Sequence, residues 1–160
     1  MAYNELCRII RKEASRLRFL SENESIPDVH KVSFDRILNG NHIETDVRGS
    51  LKMLCNLLYA YYGQKVILII DEYDVPLIKS SQHGYYEQMS NFIHSMYGTA
   101  LKTNEYLKFA VLTGSQRVPD KSIFNGLNNF DVNSILDTRY DEHFGFTDEE
   151  VRQILADYGL

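Results

Sequence analysis

Apolar positions divide the chain into helix-like and strand-like stretches. Leu6, Ile9, Ile10, Leu17 and Leu20 recur at helical spacing among Arg8, Arg11, Lys12, Arg16 and Arg18, which predicts an amphipathic helix ending near Ser21. Residues 21–48 are polar and irregular, with Pro27, Gly40 and Gly49 as breakers, and predict a loop with a short helix around Phe34–Leu38. Ser50 to Tyr59 reads as a second helix, stopped by Gly63. Val66 to Ile70 is an unbroken apolar run, as expected of a strand buried on both faces in a parallel sheet. Gly84 to Leu101 predicts another helix, with Tyr86, Met89, Phe92, Ile93 and Met96 as its apolar side. A second buried strand, Leu107–Leu112, ends at Thr113-Gly114, and Val132–Leu136 is a candidate for a short third strand. Thr147 and Glu150 form a capping box for a last helix that runs to Tyr158 and stops at Gly159.

Helix, strand, helix, strand is the order of βαβ units, so the fold class expected is α/β with a parallel sheet and flanking helices. The chain has 160 residues, enough for one domain with a real core. With 44% hydrophobic and 24% charged residues it is ordinary globular material. A net charge of -5 gives no support for nucleic acid or an anionic membrane as partner. No apolar run approaches a bilayer span, and the arginine-rich start is not a secretory signal. Cys7 and Cys55 sit far apart in apolar-periodic stretches and read as buried thiols, so a cytoplasmic location is expected.

The chemistry concentrates after the first strand, at Asp71-Glu72. In parallel α/β sheets ligands bind beyond the carboxyl ends of the strands. One Asp beside a nucleotide's phosphates suffices to hold Mg²⁺, and an adjacent Glu can activate the attacking water. An apolar run followed by Asp-Glu is the pattern called Walker B; a strand simply ending in solvent is the alternative. Asp74 has two readings, as an orienter of metal-bound waters in a cofactor site or as a cap for the segment after Pro76. Thr113, if its strand lies beside the acidic one, stands next to Asp71 and Glu72 and can hold a water or a γ-phosphate oxygen, the role known as sensor 1. Otherwise Thr113-Gly114 is a tight turn. Arg117 is either a donor to phosphate oxygens or a surface cation.

Ile67–Pro76 (ILIIDEYDVP), Leu112–Arg117 (LTGSQR), Ser122–Asn129 (SIFNGLNN) and Phe144–Glu150 (FGFTDEE) resemble the bacterial AAA-ATPase-like family, whose members often carry a PD-(D/E)XK nuclease-like domain further along. The resemblance runs from about Ser50 to Leu160, and the first 48 residues look like the family's variable helical stretch. It implies a three-layer P-loop ATPase fold using ATP and Mg²⁺. Asp71 would be the metal ligand, Asp71 and Asp74 cofactor-binding, and Glu72, Thr113 and Arg117 catalytic. Asn125–Asn129 matches a signature block of the family that reads equally as a shaped loop near nucleotide or a structural turn. The family's phosphate-binding loop has no counterpart here: nothing matches G-x-x-x-x-G-K followed by Ser or Thr, and no glycine precedes a lysine. The expectation is therefore a partial domain, with first strands missing, that is inactive without an upstream half.

The alternative is a non-catalytic interaction module derived from an ATPase domain. A nuclease is rejected because no Glu-x-Lys occurs in the chain. His30, His42, His83, His94 and His143 lack zinc-ligand spacing. Paired tyrosines at 61–62 and 85–86 have no basic groove around them and read as packing. Loss of the early strands is expected to leave an apolar sheet edge through which the chain self-associates.

Overall fold

The computed structural model describes residues 2–115, 130–134, 137–143 and 145–159, which fall into two compact units divided at Leu127 and Asn128. The first unit runs α1 (Ala2–Arg16), α2 (Phe19–Glu22), α3 (Asp28–Asn39), α4 (Glu44–Tyr62), β1 (Val66–Ile70), α5 (Val75–Gln82), α6 (Tyr86–Leu101) and β2 (Leu107–Leu112). The second contains a short 3₁₀ turn and α7 (Asp148–Asp157).

β1 and β2 pair in parallel, joined by α5 and α6, as the apolar runs predict. Val66 pairs with Leu107 and Ile67 with Phe109, so Lys108 is an extra residue near the start of β2; from there the register is regular to Ile70 opposite Leu112. Leu68, Ala110, Ile70 and Leu112 form the half-buried face, against which α4 and α6 pack. The expectation of strands buried on both faces is corrected here. Ile67, Ile69, Phe109 and Val111 form an open face, with Ile69 71% exposed. Within the described residues of the first unit helices cover only one side of the sheet, so two layers stand there where three were expected.

The core lies among the helices. Ile10 and Ala14 of α1, Leu17 between the helices and Leu20 of α2 meet Phe34 and Ile37 of α3, Val47, Leu54 and Leu57 of α4, Leu77 of α5, and Met89, Phe92, Ile93 and Met96 of α6. Ile9, expected in the apolar stripe, faces solvent, and Ala14 takes a fully buried place on that side. The irregular stretch expected at 21–48 is largely helical. Pro27 and Gly40 do bound α3, the latter with left-handed φ of 78°. Gly49, however, lies inside α4, which begins at Glu44. Gly63 ends α4 at φ 66°, as predicted. Residues 130–134 are irregular rather than strand, and Ile135 and Leu136 lie outside the described residues. The box at Thr147 forms: its hydroxyl accepts from the Glu150 amide and the Thr147 amide donates to Glu150 at 2.8 Å. No helix among the described residues is long and apolar enough to cross a membrane.

One ion pair ties α3 to the start of α4. Arg36 donates through Nε (2.8 Å) and Nη2 (2.5 Å) to Asp46, which also accepts the Ile43 amide at 3.0 Å. The side chain of Asp46 is only 2% exposed. Arg36, ahead of the Ile43 amide, holds the Asp46 carboxyl well below the usual carboxylate range. A group whose folded-state pKa is depressed contributes stability fully above its unfolded pKa, and that contribution is lost as pH falls through the folded value. Asp46→Ala is therefore expected to lower unfolding stability by about 2–4 kcal/mol at pH 7. In urea titrations the difference from the unsubstituted chain should shrink steadily below about pH 4.

Candidate functional site

Both strands end at one edge, and the chain keeps bonding past them. The Thr113 amide donates to the Ile70 carbonyl at 2.9 Å, and the Tyr73 amide donates to the Thr113 carbonyl at 3.0 Å. This places Thr113 beside the residues that leave β1. Its hydroxyl donates to Asp71 Oδ1, which also accepts the Glu72 amide at 3.0 Å. Asp71, Glu72 and Thr113 are all exposed. Two donors on one oxygen fix the carboxylate's orientation, and the structure gives Oδ2 no protein partner among the described residues.

Glu72 has a φ of 54°, a left-handed conformation that side chains other than glycine rarely adopt. The turn is closed by the Val75 amide donating to the Glu72 carbonyl at 3.1 Å, and it delivers the chain into α5. Pro76 sits in that helix's first turn, where its missing N–H is harmless.

Asp74 is placed differently from its neighbours. It occupies the N-cap position of α5, but its side chain makes no capping hydrogen bond, and the residue is completely buried. Its Oδ2 accepts from the Ser115 hydroxyl at 3.1 Å. A Cβ on Gly114 would lie 2.7 Å from Tyr73 Cε1 and 2.8 Å from Asp74 Oδ1, so the β2 tip touches both side chains more closely than any other residue would allow. Behind them Tyr97 of α6 has its phenol pushed up, by burial first and then by Tyr73 and Asp74. The sequence gives no sign of a role for Ser115; its meeting with Asp74 is made by the fold.

Arg117, Ser122 to Asn129 and Phe144 lie outside the described residues. Among the described residues no three His, Cys, Asp or Glu side chains gather in a cluster that could hold a metal by themselves. The donors at the strand edge are all oxygen, which suits Mg²⁺; that ion keeps several waters and needs one or two carboxylates. An exposed, oriented Asp71 fits this demand.

A parallel strand pair with flanking helices and an acidic, hydroxyl-bearing carboxyl edge makes this a mixed α/β domain. The chain belongs to the AAA-ATPase-like family of predicted AAA-ATPases, whose model matches residues 2–124. That match takes in the helices before β1 as well as both strand tips, and it stops short of Asn125–Asn129 and Phe144–Glu150. The chain is also similar to the "Uncharacterized protein in vnfD 5'region" of Azotobacter chroococcum mcd 1. Identity is 28% over 99 residues, covering 61% of this chain and 19% of that protein. No solved structure matches significantly.

The left-handed Glu72 gives a direct test of stored strain. Glu72→Gly is expected to raise unfolding stability by about 0.5–1 kcal/mol, since glycine adopts this φ without steric cost. Denaturant midpoints of the two proteins check this.

Proposed function

We propose that this chain supplies the metal-and-water side of an AAA-type, P-loop ATPase site. The observation that carries the reading is the hydrogen bond from Thr113, at the end of β2, to Asp71, at the end of the adjacent parallel β1. Asp71 would hold Mg²⁺; when bound, that ion neutralises charge on the phosphate oxygens. Glu72 accepts the proton of the attacking water. A bond forms from that water's oxygen to the γ-phosphorus, and the bond to the β,γ-bridging oxygen breaks to release ADP. Thr113 fixes the direction of the Asp71 carboxylate and offers its own oxygen toward water or phosphate. Arg117 is assigned to the phosphate charge. No glycine-rich loop with its lysine occurs in the sequence, so this chain provides none of the donors such a loop gives to the β- and γ-phosphates. The 160-residue chain alone therefore hydrolyses ATP no faster than background.

Mn²⁺ broadening of amide resonances tests the metal assignment without requiring turnover. Asp71, Glu72 and Thr113 should broaden first, and Asp71→Asn should weaken the effect about tenfold. Broadening centred instead on the acidic first turn of α7 (Asp148, Glu149 and Glu150), with none at Asp71, overturns the reading.

The open sheet face favours a second reading, in which the chain acts by association. Ile67, Ile69, Phe109 and Val111 are apolar neighbours on one exposed surface, and parallel sheets are ordinarily covered on both sides. Self-association through this face predicts a concentration-dependent mass in light scattering that Ile69→Lys abolishes. A monomer at every concentration removes this reading.

A further inference from the structure

The ATPase reading leaves unexplained why a third acid, Asp74, sits at the strand edge yet is completely buried. We propose that Asp74, Ser115 and Gly114 form a clasp that sets Thr113 against Asp71, with Asp74 a positioning residue rather than a contact to nucleotide or metal. The inference rests on the reading of Asp71 and Thr113 given above.

Three observations converge on it. The Ser115 hydroxyl donates to Asp74 Oδ2, so the residue two past Thr113 is tied to the residue three past Asp71. Gly114, between them, lies against the Tyr73 ring and Asp74 Oδ1 so closely that a side chain has no room. The backbone bonds from Thr113 to Ile70 and from Tyr73 to Thr113 close the same loop from the other side. Thr113 is therefore held before and after by bonds that cross between the two strand exits. A threonine hydroxyl takes one of a few staggered directions relative to its own backbone, so whether it reaches Asp71 depends on where these ties hold that backbone. Burying a carboxyl group is costly unless hydrogen bonds satisfy it, and the Ser115 hydroxyl from the opposite exit satisfies Oδ2 and fixes the approach. The result is a site whose exposed members are oriented by a member that solvent does not reach.

The test combines amide hydrogen exchange with Mn²⁺ broadening in the full chain. Ser115→Ala removes the donor with little change in bulk. It should speed exchange of the Tyr73 and Thr113 amides at least tenfold while leaving Ile93, in the helical core, unchanged. It should also weaken Mn²⁺ broadening at Asp71, although Ser115 is not assigned to the ion. Asp74→Asn keeps an acceptor for Ser115 and should retain slow exchange at both amides, whereas Asp74→Ala should lose it. Asp74→Asn also serves if Asp74→Ala does not fold. Unchanged exchange at Tyr73 and Thr113 in Ser115→Ala overturns the clasp, even where the metal binds at Asp71. Slow exchange in the parent chain, lost in Ser115→Ala, supports the clasp even where Mn²⁺ does not bind, an outcome that sinks the ATPase reading alone.

Discussion

The register of β1 on β2 is the constraint on which the site depends. Asp71 can meet Thr113 only because Ile70 and Leu112 are partners at the last rung. The extra residue, Lys108, sets that alignment. Without the bulge, Ile67 would stand opposite Lys108 and Ile70 opposite Val111, leaving Thr113 one residue beyond the reach it now has. A one-residue slip also exchanges the faces of a strand, turning Phe109 and Val111 toward the helices and Ala110 and Leu112 away from them. Placing the irregularity at the start of the strands leaves four consecutive regular rungs before the edge where chemistry is expected. Positional accuracy at the tip is thus secured by packing well below it.

Much of this was legible in the residues. Five consecutive branched or long apolar side chains at 66–70 fit no amphipathic helix, so both the strand and the position of Asp71-Glu72 at its end follow from the sequence. The same holds for 107–112, and parallel pairing follows from the helical stretch between the strands. What periodicity could not show was coverage. An apolar strand reads the same whether one face or both are covered, and the exposure of Ile67 and Ile69 is decided by the layer count rather than by their own chemistry. α3 is hard to read from its residues because Val29 and Val32, both exposed, blur its stripe, while Lys31 is buried. Gly49 does not break α4, because interior glycine disfavours a helix by only about 1 kcal/mol, which burial of Val47, Leu54 and Leu57 on the same helix outweighs.

The site was less legible than the fold, for a specific reason. Pattern reasoning sees carboxylates as a set, and Asp71, Glu72 and Asp74 stand within four positions. Strand periodicity would send Asp71 to one face and Glu72 to the other. The left-handed turn at Glu72 ends that alternation, and the residues after it follow the geometry of α5. The three acids consequently have different surroundings: Asp71 is exposed and held by two donors, Glu72 is exposed on strained backbone, and Asp74 is enclosed under the β2 tip. Pro76 is compatible both with the end of a strand and with the first turn of a helix, so the residues alone do not announce α5.

That separation bears on what each acid can do. Water activation needs a carboxylate that reaches solvent and is not consumed by internal hydrogen bonds, while metal holding needs one whose direction is fixed. Asp71 has the fixed direction, because the Thr113 hydroxyl and the Glu72 amide share one of its oxygens. Glu72 has the exposure, and its backbone strain persists because Asp71, Val75 and the Tyr73–Thr113 bond determine the turn around it. Neither property belongs to the residue type; each follows from where the parallel ladder stops and how the chain leaves it. The acidic pair at 71–72 is thus intelligible as two unlike groups that one strand end makes different.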